Sequence, residues 1–314
     1  MNVHTLNDLM KDNNNERPQQ QNRQQQNGNS NIHTLNVINP SQEGQENQNW
    51  LHSIFNPAIF NLKTTTFVMI MLLLKVYLSY LFLFYIWYSS KGDPWICLLY
   101  NGGALQVGKI VNEYKIWNLI TAIFLHNNFL HIFSNILSLV FISFYTEYLI
   151  NNRFKFLGLF FATGIYGNLT SLLFNGNNIS VGVSGVILGL CGYLIIDFII
   201  KFKKMNDFEK KCMGIFIFLL ILNIFLGIFV MSNIEIFSHL GGLFSGIVFG
   251  IIFLLNNPRP WIELTSETSL KVIWYICLVI TIIYPIGVLG YVFTGDYPNI
   301  KSSVCPKNRI NKLI

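Results

Sequence analysis

Seven apolar segments, each close to the roughly 20 residues of helix that cross a hydrocarbon core, dominate this chain from Phe67 onward. They lie near Phe67–Tyr88, His131–Tyr148, Phe154–Phe174, Val183–Lys201, Met213–Met231, Phe237–Leu255 and Leu270–Phe293. Lipid offers no partner to a backbone N–H or C=O, and a helix satisfies those groups internally, so the pattern specifies an all-α polytopic membrane protein. Only 11% of the 314 residues are charged, against about 25% in a soluble domain, which excludes a water-soluble globule. Five cysteines are too sparse for a secreted disulfide scaffold. The net charge of +6 is spread over loops and tails with no basic stripe, so no nucleic-acid partner is expected.

The amino-terminal stretch has another character. Nearly half of the first 50 residues are Asn or Gln, too polar to offset the entropy of ordering. Residues 1–60 are read as a disordered tail, 61–294 as the membrane domain and 295–314 as a carboxyl tail. No apolar core of a signal peptide follows the start, and Asp8, Asp12 and Glu16 break the pattern of a mitochondrial presequence. Lys201, Lys203, Lys204, Lys210 and Lys211 follow the fourth segment, Arg153 and Lys155 the second, and Arg259 and Lys271 the sixth. These place the amino terminus and the basic loops in the cytosol. Lys91, Lys109, Lys115 and the basic carboxyl tail run against that assignment. Between Ser89 and Leu130 lies the largest loop, whose run Leu119–Leu125 is apolar enough to enter the interface.

Polar groups inside apolar helices are costly and mark function by default. His131 and Asn135 are four apart and share one helix face. The fourth segment opens Gly182-Val183-Ser184-Gly185, and the sixth opens Ser238-His239-Leu240-Gly241-Gly242. Taken singly, each fits an interhelical contact or small-residue packing. Taken together they say more. With alternating spans, the second, fourth and sixth all run the same way and carry these residues at their beginnings, so His131, Asn135, Ser184 and His239 fall at one depth. Gly185, Gly189 and Gly192 line one helix face, and Gly242, Gly246 and Gly250 another; small residues at this spacing let two helices approach closely.

If those faces meet, a hydroxyl stands beside an imidazole, the minimal activated nucleophile. His239 takes the proton from Ser184 and returns it to the leaving amine. His131, Asn135 and the Ser184 backbone N–H are donors suited to an oxyanion. No Asp partner for His239 is evident, so a dyad is expected rather than a triad. The scattered His, Cys and acidic residues make no metal set and imply no cofactor.

These residues resemble a rhomboid intramembrane serine protease over about Phe67 to Phe293. The resemblance rests on Gly182-Val183-Ser184-Gly185, on His239 with Gly242 and Gly246, and on His126, His131 and Asn135, in that order on the second, fourth and sixth helices. It implies Ser184 as nucleophile, His239 as base, and His131 with Asn135 in the oxyanion hole. His126 matches a position that supports the first loop, and Glu147 a recurrent structural acid. It also implies a lateral gate at Met213–Met231, and the seventh helix resembles the eukaryotic secretase-type arrangement. Two positions depart from the family: Asn118 stands where Arg often follows the loop Trp, bearing on the anchoring of that loop, and Leu188 replaces an aromatic on which the His packs. Lys75 sits well inside the first helix; either it snorkels toward the cytosolic face or the span begins later.

The function expected from the resemblance is cleavage of single-span membrane proteins near the extracytoplasmic side, in the secretory pathway or plasma membrane. The alternatives are an inactive rhomboid-like protein that binds membrane clients, and a transporter. The partners implied are transmembrane substrates and the bilayer; oligomeric state is not legible. By this topology Cys97 and Cys305 both lie outside, where a disulfide can form. Cys191 and Cys277 read as buried packing residues and Cys212 as a site for acylation.

Overall fold

The computed structural model describes residues 65–88, 94–175, 177–207, 210–211, 213–214, 217–218, 236–255, 267–298 and 300–305. The chain divides after Gly44, and every described residue lies in the second unit. The expected tail, Cys212 and nearly all of the expected fifth span, Met213–Met231, fall outside the described residues.

Six helices among the described residues are long and apolar enough to cross a membrane, and the protein is an all-α multi-pass membrane protein. They are α1 (Thr65–Leu83, continued by a π-helical turn Phe84–Tyr88), α5 (Phe129–Ile150), α6 (Arg153–Asn175), α7 (Ser184–Lys201), α8 (Ile236–Leu255) and α9 (Glu267–Thr294). Between α1 and α5 the loop folds into α2 (Trp95–Gly102), α3 (Val107–Asn112) and α4 (Asn118–Phe124). A single turn, α10 (Lys301–Val304), follows α9. The apolar run Leu119–Leu125 is thus largely the short helix α4, which buries Leu119, Ala122 and Ile123.

Two helices begin earlier than hydropathy alone places them, for the same reason. Their first N–H groups, which have no partner within the helix, are met by side chains. Glu147 accepts from the Thr65 and Thr66 N–H groups, each at 2.8 Å, so α1 starts two residues before Phe67. Asn128 Oδ1 accepts from the His131 N–H at 2.8 Å and starts α5 at Phe129.

Helix α7 is the centre of the bundle. Leu188, Gly189, Leu190, Cys191, Gly192, Tyr193 and Leu194 are all buried, and most of them join one apolar core with Leu139, Phe156, Leu159 and Phe160. Helices α7 and α8 run parallel and in register: Gly242 faces Gly185, Gly246 faces Gly189, and Gly250 faces Tyr193. Antiparallel to both runs α6, with Gly167 against Ser238 and Thr163 against Gly189. The outer helix α9 is held to α6 and α8 by Tyr166 donating to the Thr281 carbonyl, by Thr170 and Tyr284 at 2.6 Å, and by Trp274 Nε1 donating to Ile252 O at 3.2 Å.

The loop helices are tied down from two sides. Leu105 and Ser180 exchange both backbone hydrogen bonds, at 3.0 and 2.9 Å. On the far side, Val288 and Val292 of α9 join a core with Leu105, Val107 and Ile110. Asn112 Nδ2 donates to Tyr297 O at 3.1 Å, and Cys97 and Cys305 form a disulfide. Residues 295–305, where described, therefore fold against the first loop. Cys191 and Cys277 are free and buried, as packing residues would be.

Candidate active site

The beginnings of α5, α7 and α8 meet at one end of the bundle. The approach to α7 explains how. Ser180 is pinned to Leu105, and the Gly182 N–H donates to Ala122 O at 2.9 Å. Gly182 has φ +128°, a region that strains any residue with a Cβ, and it turns the chain into the first turn of α7. Ser184 is the first residue of that helix.

Ser184 Oγ lies 2.7 Å from His239 Nε2. That distance follows from the glycine contacts one turn below. Gly185 and Gly242 touch backbone to backbone, as do Gly189 and Gly246, so no side chain separates the two helices. Ser238, buried beside His239, fills the space left by Gly167 and Gly185; a Cβ on Gly185 would stand 2.9 Å from Ser238 Oγ. Among the described residues, no acid forms an ion pair with His239.

His131 and Asn135 stand on the other side of Gly182. A Cβ built there would lie 3.0 Å from His131 Nε2 and 3.7 Å from Asn135 Nδ2. Only glycine lets both side chains come this close to the chain just ahead of Ser184. Asn135 Nδ2 is buried and has no hydrogen-bond partner among the described residues. Leaving a buried amide donor unpaired costs about 1–3 kcal/mol, so such a group calls for an explanation. The first N–H groups of α7 add further free donors beside Ser184.

His126 packs edge-to-face on His131, with ring centroids 5.1 Å apart, and is itself buried. Burial, and then the neighbouring His131, push its pKa down to about 3, so it is neutral. It braces His131 from the turn after α4. Glu147 lies at the opposite end of α5, where it caps α1.

The first loop is anchored by residues whose part was not legible. Asn118 is fully buried and its Nδ2 donates to Ala104 O at 3.0 Å, so the loop is held there despite the missing Arg. Lys109, whose charge runs against the expected orientation, is 2% exposed. Its ammonium donates to the Tyr100 carbonyl near the carboxyl end of α2 and sits 4.0 Å from the centre of the Tyr100 ring. Burial, followed by the repulsion of Lys115, lowers its pKa to about 8. Asn168, within α6, donates to Leu119 O at 2.8 Å and fixes α4 from below. A polar residue in mid-span was the signal for Asn168; nothing local distinguishes Lys109.

A family model described as "Rhomboid domain" matches residues 113–256. Among curated proteins, RHOMBOID-like protein 1 of Arabidopsis thaliana is 32% identical over 197 residues, covering 57% of this chain and 49% of its own length. RHOMBOID-like protein 7 of the same plant is 28% identical over 238 residues, 70% of this chain and 74% of its own length. Rhomboid-like protease 1 of Toxoplasma gondii is 29% identical over 170 residues, 52% of this chain and 57% of its own length. The chain spans about half the length of the first and third of these relatives.

Proposed function

The chain belongs to the rhomboid family, and on that premise we propose that it is an intramembrane serine endopeptidase working through a Ser184–His239 dyad. One observation carries the proposal: Ser184 Oγ and His239 Nε2 are 2.7 Å apart, close enough for the proton to pass. Ser184 Oγ attacks the scissile carbonyl carbon while His239 Nε2 takes its proton. The carbonyl oxygen, now an oxyanion, accepts from the Ser184 N–H, from Asn135 Nδ2 and from His131. As the C–N bond breaks, His239 gives its proton to the departing amine. Water then attacks the acyl ester, again losing its proton to His239, and Ser184 is regenerated with release of a carboxylate. Asn135 Nδ2 supports this reading, since a buried donor without a partner is a site prepared for an acceptor that arrives only with substrate.

The substrate class we propose is a single-span membrane protein cut near the extracytoplasmic side, with the amino terminus of this chain in the cytosol. A transmembrane helix hides its carbonyls in hydrogen bonds, so the segment cut must unwind, which favours helix-breaking residues there. The inactive, client-binding alternative draws on Asn118; a buried Asn118 whose Nδ2 donates to Ala104 O favours the protease reading. The test is cleavage of a model single-span substrate by purified protein in vesicles. Ser184→Ala abolishes cleavage while expression is unchanged, and a fluorophosphonate probe labels the wild type alone. Turnover that survives Ser184→Ala sinks the proposal.

A further inference from the structure

Helix α1 has two faces. Met69, Ile70, Leu73 and Tyr77 are buried against the bundle, while Val68, Met71, Leu72, Leu78 and Phe82 are exposed on the outer side. Lys75 is exposed too and stands in the middle of this outer stripe, at helical spacing from Met71, Leu72 and Leu78. The span runs from Thr65 to Ile86, so Lys75 lies ten residues, or about 15 Å of helix rise, from its nearer end. Its stem reaches roughly 5 to 6 Å, about one helical turn, and leaves the ammonium short of the interface. The helix begins at Thr65 with its first N–H groups bonded to Glu147, so a later start is not open to it.

A lone ammonium facing hydrocarbon is costly, and intramembrane charges are found paired or lining a polar cavity. Among the described residues no acid pairs with it. Within the long apolar helices and the expected fifth span, the acids are Glu147, which caps α1, Asp197, which is buried and paired with Lys201 at 2.5 Å, and Glu267, the first residue of α9. None of the three is presented on an outer face at mid-depth, so a second copy of this chain does not supply the missing charge. Charge complementarity therefore selects another protein.

We propose that the outer face of α1 is a docking surface for a transmembrane helix that carries an Asp or Glu near the bilayer midplane, with Lys75 as its ion-pair partner. The flanking Met71, Leu72, Leu78 and Phe82 give that helix an apolar surface to lie along, and the buried pair fixes its depth and register. The surface is separate from the Ser184–His239 site and does not depend on catalysis.

The experiment places a photo-crosslinking residue at Leu78 of the full-length chain, in vesicles of neutral phosphatidylcholine. Two synthetic polyleucine helices are compared, one with a central Asp and one with Leu in its place. The Asp helix crosslinks on the order of tenfold more than the Leu helix. Lys75→Leu erases the difference, and Lys75→Glu moves the preference to a helix with a central Lys. Equal crosslinking of the two helices to the wild type overturns the proposal, as does an Asp preference that survives Lys75→Leu. Repeating the comparison with phosphatidylserine present separates the other source of negative charge. Crosslinking to lipid in place of the Asp helix at every helix loading assigns Lys75 to headgroups and also overturns it.

Discussion

Gly242 lies so close to Gly185 that a Cβ on it would overlap the Gly185 carbonyl oxygen and stand 2.8 Å from the carbonyl carbon. Both neighbours are backbone, so neither can swing aside. Gly185 follows Ser184 directly, and Gly242 is one helical turn after His239. Gly242→Ala therefore pushes α8 away from α7 at the level of the dyad. Overpacking of this kind costs about 1–3 kcal/mol, and a displacement near 1 Å at a reacting pair lowers turnover by about 100-fold. Thermal melting in detergent and cleavage of a model substrate check both effects. Full activity in Gly242→Ala would mean that the helix contact does not set the Ser184–His239 distance.

Asn135 separates function from stability. Its amide donor is buried and unpaired in the resting protein, so replacing it with an apolar residue of similar size removes no hydrogen bond. Asn135→Leu is expected to leave the melting temperature unchanged or raise it. Loss of one oxyanion donor, by contrast, lowers kcat by about 100- to 1,000-fold, with KM little affected. A variant that melts early but turns over normally would identify Asn135 as a structural contact between helices.

The six described spans and the approach of Ser184 to His239 were legible because each rests on a pattern repeated along one segment. Length and hydropathy mark α5 to α9, and the glycine spacing on two segments foretells the parallel contact of α7 with α8. What escaped depends on partners far apart in the chain. Ser180 bonds Leu105 across the first loop, and no local pattern announces a bridge between two isolated residues. Lys109 carries less weight in a charge count than its sequence position suggests: a lysine in a loop counts toward topology only if its charge is free at the interface, whereas this one is buried against Tyr100. Asn118 left the anchoring of the first loop open because nothing local names the group it meets, the Ala104 carbonyl fourteen residues earlier.

Acid should destabilise the site through His126. Its folded pKa is pushed down to about 3, first by burial and then by His131, from an ordinary value of 6.5. A depressed histidine is neutral in the folded state but protonates when the chain unfolds. Its contribution is thus whole above pH 6.5 and is lost progressively as pH falls from 6.5 toward 3. The slope is about 1.4 kcal/mol per pH unit, or about 2 kcal/mol between pH 6.5 and 5. Melting curves at pH 7 and 5 should show a larger drop for the wild type than for His126→Asn. Equal drops would place the acid-sensitive group elsewhere.

Cys97 and Cys305 are joined across 208 residues of sequence, with Cα atoms 5.0 Å apart. The bond ties the segment after α9 to α2, and so closes the chain around the bundle. Closing a long loop stabilises by about 2–4 kcal/mol, chiefly by restricting the unfolded chain. The site itself does not hang on this bond, because Val288 and Val292 still pack against Leu105, Val107 and Ile110, and Leu105 still bonds Ser180. Cys97→Ser and Cys305→Ser are therefore expected to lower the melting temperature equally, to show no further loss when combined, and to retain near wild-type kcat. Reductant should slow the wild type on a denaturing gel and leave both variants where they run. A fall in kcat as large as that of Asn135→Leu would instead mean that the tail holds the first loop, and through Leu105 the approach to Ser184, in its working position.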